Sequence, residues 1–308
     1  MTTAQICICL AIAIYLIAML GVGVWFAKRN NSVDDFYLGG RKLGPFVTAM
    51  SAEASDMSSW LLMGLPGVAY LTGLAEASWT AIGLAIGTYI NWLIVARRIR
   101  RYSNRLDAIT VPQFFSKRWG DERNLLSAIA AVVIIIFFVP YLASGFSACG
   151  KLFASLFGVE YIAAMLISAA VIVVYTVMGG FLAASFTDLI QSIIMTVALV
   201  VVLGFGVVNA GGMDAVLGNA RLSLSNIYDP ATGGSNPYSL LTICSLLAWG
   251  LGYFGMPHIL LRFMAIEEEK KLTLSRRVAT TWVVISMGVA IIIGVVGSGM
   301  TKAGALEQ

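Results

Sequence analysis

Residues 45–70, PFVTAMSAEASDMSSWLLMGLPGVAY, are long enough to cross a bilayer, yet their middle is polar. Ser51, Glu53, Ser55, Asp56, Ser58 and Ser59 fall within nine positions. A continuous lipid-facing helix cannot hold such groups, because an unpaired carboxylate in hydrocarbon costs several kcal/mol. The stretch therefore predicts a broken helix, apolar at both ends and hydrophilic at its centre. Unwound backbone at membrane depth is tolerated only where it is buried in protein or lines a watery cavity. Freed carbonyls at such a break attract cations, so this segment is expected to bind one.

The rest of the chain agrees with a membrane setting. Of 308 residues, 59% are hydrophobic and 12% charged, about half the charged share of a soluble domain. Mean hydropathy is +0.86. The net charge of +4 is modest, and no separate basic domain points to nucleic acid. Cys7, Cys9, Cys149 and Cys244 lie in apolar runs without metal-ligand or disulfide-framework spacing. The single histidine, His258, has no Cys or second His beside it, so no transition-metal site and no cofactor are expected. No nucleotide-binding loop or nucleophile triad is present, and the chain reads as a non-enzyme.

Apolar runs of about twenty residues predict eight spans, at 4–26, 45–70, 75–95, 125–156, 161–181, 189–208, 238–262 and 279–300. The first has its Lys28 and Arg29 after it rather than before it, so it reads as a span and not a signal peptide. The long fourth run is expected to tilt, or to kink at Pro140. Seventeen of the 20 Lys and Arg residues fall in the loops after spans 1, 3 and 7, counting Arg262 at the edge of the last. Only Lys151, Arg221 and Lys302 fall on the other side. The positive-inside rule then places the chain's N-terminus outside. Residues 210–237 read as an extracellular loop with turns at Gly211-Gly212 and Asp229-Pro230 and room for a short surface helix. Gly83 and Gly87 suit close helix packing.

Asp56 is the sharpest candidate. It reads as a cation or coupling site with Ser55 and Ser58 as oxygen donors, or as a cap on a half-helix start. Glu53, one turn earlier, is either functional or structural. Span 7 carries Trp249-Gly250-Leu251-Gly252-Tyr253-Phe254-Gly255-Met256-Pro257-His258, poor helix material and a second candidate break. Trp249, Tyr253 and Pro257, spaced i, i+4, i+8, would line one face beside a small, partly apolar solute, unless they are ordinary core. Pro140-Tyr141 offers a third wall. Residues 179–188 read as a short cytoplasmic connection whose Asp188 lines a cation exit path or N-caps span 6. Glu267 to Lys271 reads as a solvated loop helix.

These segments resemble the sodium/solute symporter family, nearest its proline-carrying branch. The resemblance rests on Phe36 to Arg41 (FYLGGR), Ser51 to Gly67 (SAEASDMSSWLLMGLPG), Gly179 to Asp188 and Trp249 to Phe263, in order across nearly the whole chain. It implies an all-α LeuT-type core of two inverted five-helix repeats behind one extra N-terminal helix. Residues 1–43 would be that helix and a cytoplasmic loop, 44–210 the first repeat, and 238–308 two helices of the second. By this likeness the carbonyls of Ala54 and Met57 hold sodium, with Asp56 essential nearby. Ser58, Trp60, Tyr141, Trp249, Tyr253 and Pro257 surround or gate the solute, while Ser55, Arg41 and Asp188 act in coupling. Sodium-driven uptake of L-proline across the cell membrane by alternating access is the implied activity. The same scaffold carrying another solute, coupling to protons, or serving as a membrane sensor are the alternatives.

Two residues depart from the pattern. Ser59 stands where the proline carriers usually have glycine, and Glu53 where some have glycine. The resemblance also implies five further helices and a Ser/Thr pair completing the sodium site on the next span. On that ground the chain reads as a fragment or early termination, which leaves a truncated chain without transport as a further alternative.

Overall fold

The computed structural model describes residues 3–28, 32–219, 226–228 and 235–302. Arg29, Arg221, the Asp229-Pro230 turn and Gln308 lie outside the described residues. Thirteen α-helices run in chain order among the described residues: α1 (Thr3–Ala27), α2 (Val33–Leu38), α3 (Pro45–Ser59), α4 (Leu65–Thr72), α5 (Leu74–Ile90), α6 (Arg97–Arg105), α7 (Val111–Trp119), α8 (Leu125–Phe157), α9 (Tyr161–Asn209), α10 (Met213–Asn219), α11 (Leu240–Leu247), α12 (Pro257–Ala265) and α13 (Leu272–Lys302). The expected surface helix in the 210–237 loop is α10. An antiparallel pair, β1 (Asn226–Tyr228) with β2 (Ser235–Pro237), completes that loop.

All eight apolar runs lie on helical segments, but the helices do not divide as expected. Five stretches are long and apolar enough to cross a membrane: Gln5–Ala27, Leu74–Arg105, Leu125–Phe157, Tyr161–Asn209 and Glu269–Thr301. A sixth forms if Leu240–Phe254 and Pro257–Ala265, bent by 47°, count as one. Two of the expected spans lie in α9, which is two helices joined across a kink at Gly180. The 45–70 run is cut by its own break into pieces too short to cross singly. The expected connection at 179–188 is helix: only Gly180 leaves helical dihedrals, at φ 62 and ψ −157. That conformation is open to glycine and closed to most side chains, so the bend falls there. Asp188 consequently lies within a helical run rather than at a helix start. α8 continues through Pro140 as one helix.

The chain folds as two compact units, each assembled from three segments. One holds residues 1–51, 97–189 and 260–271; the other holds 52–96, 190–259 and 272–308.

In the first unit, Thr110 caps α7 by accepting from the Gln113 N–H, while the Gln113 side chain accepts from the Ile109 N–H. This reciprocal box satisfies donors that a helix start otherwise orphans. The link after α2 is pinned to the end of α12, with Leu43 N–H donating to Ala265 O and Glu267 N–H to Leu43 O. The apolar faces of α1, α8 and α9 remain uncovered. Ile135, Ile136 and Phe137 are all exposed, the pattern of a helix facing hydrocarbon.

In the second unit, small residues set the helix spacing. A Cβ on Gly83 would meet the backbone of Leu247, and one on Gly87 the backbone of Gly250. The expected close packing at Gly83 and Gly87 is thus a backbone-to-backbone approach between α5 and the segment after α11. Gly294 of α13 lies likewise against the Pro66 carbonyl of α4. Val216, Val295 and Val296 form an apolar cluster, with Leu203 and Met300 against it.

Candidate functional site

The break expected in residues 45–70 is present. Ser58 takes φ 44 and ψ −151 inside α3, a conformation unusual for any residue but glycine. A π-helical turn, Trp60–Gly64, follows before α4 begins. Such wide turns inside helices recur at functional sites. The second expected break is present too. After α11 the chain winds as a 3₁₀ helix over Ala248–Phe254 before bending into α12. Asn91, in the π turn after α5, donates through Nδ2 to the Tyr253 carbonyl at 2.9 Å and holds that segment.

The 3₁₀ winding overturns one expectation. Trp249, Tyr253 and Pro257 do not share a face, because three residues per turn carry position i+4 round the axis. Trp249 is 54% exposed and Tyr253 3%. Trp249 instead stacks on Trp60, with ring centroids 5.6 Å apart. Two of the expected solute residues are therefore paired across the two broken segments, while Tyr253 turns into the core and Pro257 opens α12. Ser58 sits at the break itself. Tyr141 belongs to the first unit, on α8, with its ring 5.5 Å from Phe138.

Around the first break the second unit gathers buried polar groups. Glu53, 2% exposed, accepts from Trp92 Nε1 at 2.9 Å. Asp56 Oδ1 lies 3.6 Å from His258 Nε2. The Tyr253 hydroxyl lies beside Asp56 and Thr88. Ala54 and Met57 are buried, and Ser55 is half-buried.

The first unit holds a different constellation. Asp188 Oδ2 accepts from Arg262 Nη2 at 2.8 Å and from Ser51 Oγ at 2.6 Å, and Arg262 Nε donates to the same Ser51 Oγ at 2.6 Å. The guanidinium also lies over the Phe181 ring. Arg41 donates to the carbonyls of Met264, Ser103 and Ala108 and to the Ser103 hydroxyl. Burial pulls the Arg41 guanidinium below its ordinary value, against the raising influence of Asp34 and Asp107.

Sequence reasoning missed Arg262, Trp92 and Asn91. Arg262 was read as the edge of a basic loop, yet it stands in an apolar run, where a charge demands a partner. That rule was the available signal. Nothing in the local pattern marks Trp92 or Asn91 as partners of Glu53 and Tyr253. Glu267 and Lys271 do form the expected solvated turn, joined by an ion pair at 2.7 Å.

A helical membrane bundle interrupted at two spans by unwound, polar backbone is the architecture of LeuT-type secondary transporters. A solved structure of a Na⁺-coupled sialic acid symporter, in a substrate-bound outward-open state, matches with a TM-score of 0.78. The match has 19% identity and covers 96% of this chain and 62% of that one, and it establishes the fold. The chain belongs to the sodium:solute symporter family, which matches residues 36–305. It is similar to an osmoregulated proline transporter of Bacillus subtilis, 43% identical over 94% of this chain and 58% of that protein. It is also similar to the sodium/proline symporters of Haemophilus influenzae (47% identical, 91% and 56%) and Escherichia coli (43%, 92% and 56%). The chain thus spans somewhat over half the length of these relatives.

Proposed function

We propose that the chain carries out sodium-coupled symport of L-proline into the cell by alternating access, as a multi-pass protein of the cell membrane with its N-terminus outside. The observation that carries this reading is the break at Ser58. In a regular helix the Ala54 carbonyl accepts from the Ser58 N–H and that of Met57 from Leu61. The dihedrals at Ser58 depart from the helix at that point, and carbonyls freed at such a break suit a hard cation. Ala54 and Met57 bind sodium through these carbonyls, Asp56 supplies the charge, and Ser55 supports them.

The stacked Trp60 and Trp249, with Ser58, Tyr253 and Pro257, form the apolar and hydroxyl-bearing surroundings that suit a small imino acid, and Tyr141 is assigned to the solute by the family resemblance alone. Arg41 and Asp188 act in coupling from the inner side. Residues 44–210 are the first five-helix repeat, 211–237 the extracellular loop, and 238–308 two helices of the second repeat. Similarity to the proline carriers supports the solute, and family membership supports the ion. Coupling follows if sodium binds the outward-open, solute-competent state better than the inward one.

The test is uptake of labelled L-proline into proteoliposomes under a sodium gradient and under a choline gradient. The 308-residue chain is compared with a chimera extended by the remaining length of the Escherichia coli symporter. Sodium-driven uptake by either form supports the reading. Equal uptake with choline removes sodium, and absence of uptake by both removes proline.

A further inference from the structure

Arg276 lies in the second turn of α13, inside a stretch long and apolar enough to cross a membrane. An arginine in such a place demands a partner, and others in the chain have one. Arg262 meets Asp188 and Ser51, and Arg100 donates to the Ile266 and Glu267 carbonyls. Arg276 is half-buried, yet its Nε is enclosed with no hydrogen-bond partner among the described residues. The ion pairs among those residues go to Arg97, Arg101, His258, Arg262 and Lys271, and none to Arg276 or Arg277. What the Arg276 guanidinium meets is the ring of Tyr89 on α5, with Cζ 5.0 Å from the centroid. That ring is 44% exposed. Ile86 and Ile82, one and two turns earlier on the same side of α5, are exposed as well, and so is Arg277. All five residues belong to the second unit.

We propose that Arg276 and Tyr89, with Arg277 beside them, bind the phosphate of an anionic phospholipid whose acyl chain lies along Ile86 and Ile82. A guanidinium is a planar fork that matches phosphate oxygens, sheds water readily and stacks on aromatic faces. Stacking on Tyr89 fixes its plane, and with Nε enclosed the Nη groups are the donors left for a ligand. Two adjacent cations without a carboxylate in ion-pair distance favour a lipid of net negative charge over a zwitterionic one. The apolar stripe favours a lipid over a free anion. Tyr89 and Ile82 are seven residues apart, about 10 Å of helix, a length that an acyl chain covers. Basic pockets between transmembrane helices hold lipid head groups in this way on the cytoplasmic side. The inner leaflet follows from the orientation proposed above, whereas the match of cations, ring and stripe to a lipid does not depend on it.

Native mass spectrometry of the purified chain, titrated in detergent with phosphatidylglycerol, tests the proposal. The wild type is expected to retain one phosphatidylglycerol that phosphatidylcholine does not replace. Arg276→Gln should weaken that retention about tenfold, through loss of a charge-assisted contact. Arg277→Gln should weaken it about fivefold, the worth of one cation near an anionic surface, and Tyr89→Leu about threefold. Arg98→Gln removes an exposed cation elsewhere and should have no effect. If Arg276→Gln does not fold, Tyr89→Leu and Arg277→Gln decide. Equal losses from Arg98→Gln and Arg276→Gln would reduce the site to diffuse charge and overturn it. Equal retention of phosphatidylcholine, or displacement by inorganic phosphate at equal concentration, would overturn it too. Loss of binding in the extended chimera would assign the face to protein and do the same. The readout needs neither sodium nor proline, so its failure leaves the symport reading standing.

Discussion

Each of the two units buries carboxylates, and they treat them in opposite ways. In the first, Asp188 meets Arg262 and Ser51 in a closed triangle of three contacts, each 2.8 Å or shorter. Charge is balanced and the donors are used. In the second, Glu53 accepts from the Trp92 indole N–H, while Asp56 lies 3.6 Å from His258 Nε2 and beside the Tyr253 hydroxyl. Neither acid meets a Lys or Arg there among the described residues. A carboxylate matched to a guanidinium holds a structure together once formed, and removing one partner is costly. An unmatched pair destabilises the fold until something positive arrives. The first arrangement is that of a fastening and the second that of a receptor for a cation, although both arise from acids placed in apolar helices.

The largest effect that can break this comparison is expected at Arg262. Arg262→Ala leaves the half-buried Asp188 carboxylate without its guanidinium, so stability should fall by about 3–5 kcal/mol. Detergent-resistant thermal unfolding followed by size-exclusion chromatography measures it. Much of the loss should return in the Asp188→Asn, Arg262→Ala double variant. If the single variant costs nothing, the triangle is not a fastening.

Trp92→Phe comes next. It removes the one donor to Glu53 and should cost about 1–3 kcal/mol, the penalty of a buried acceptor left unpaired. In the background of Glu53→Leu the same change should cost much less, and a double-mutant cycle reads the difference. The smallest effect is expected at Ser58. Ser58→Gly relaxes the strained dihedral and should stabilise the chain by about 0.5–1 kcal/mol, with sodium affinity read alongside.

The sequence made the unmatched cluster visible and hid the matched one, for a physical reason. Ser51 to Ser59 concentrate polarity within nine residues of an apolar run, so the break and its acid could be read locally. The glycines after Trp249 revealed the second break in the same way. The winding of that break could not be read, because a helical-face argument assumes 3.6 residues per turn and the segment takes three. Gly179-Gly180 looked like a turn, which put Asp188 at a helix start. Two helical segments meet at the one non-helical glycine, Gly180, so the second is already under way when it reaches Asp188. The triangle joins residues 74, 137 and 211 positions apart, and no local pattern carries pairings of that length. The same holds for Trp92 and Glu53, 39 positions apart.

The central claim is that the cluster around the Ser58 break is a cation receptor. Sodium-induced thermal stabilisation, without solute and against choline chloride at equal ionic strength, tests it most directly. Saturating sodium at about a hundred times its dissociation constant should stabilise the wild type by about 2.7 kcal/mol per site. Asp56→Asn should remove that gain from the carbonyl site while remaining folded. A sodium gain unchanged in Asp56→Asn, or absent from the wild type, would contradict the account.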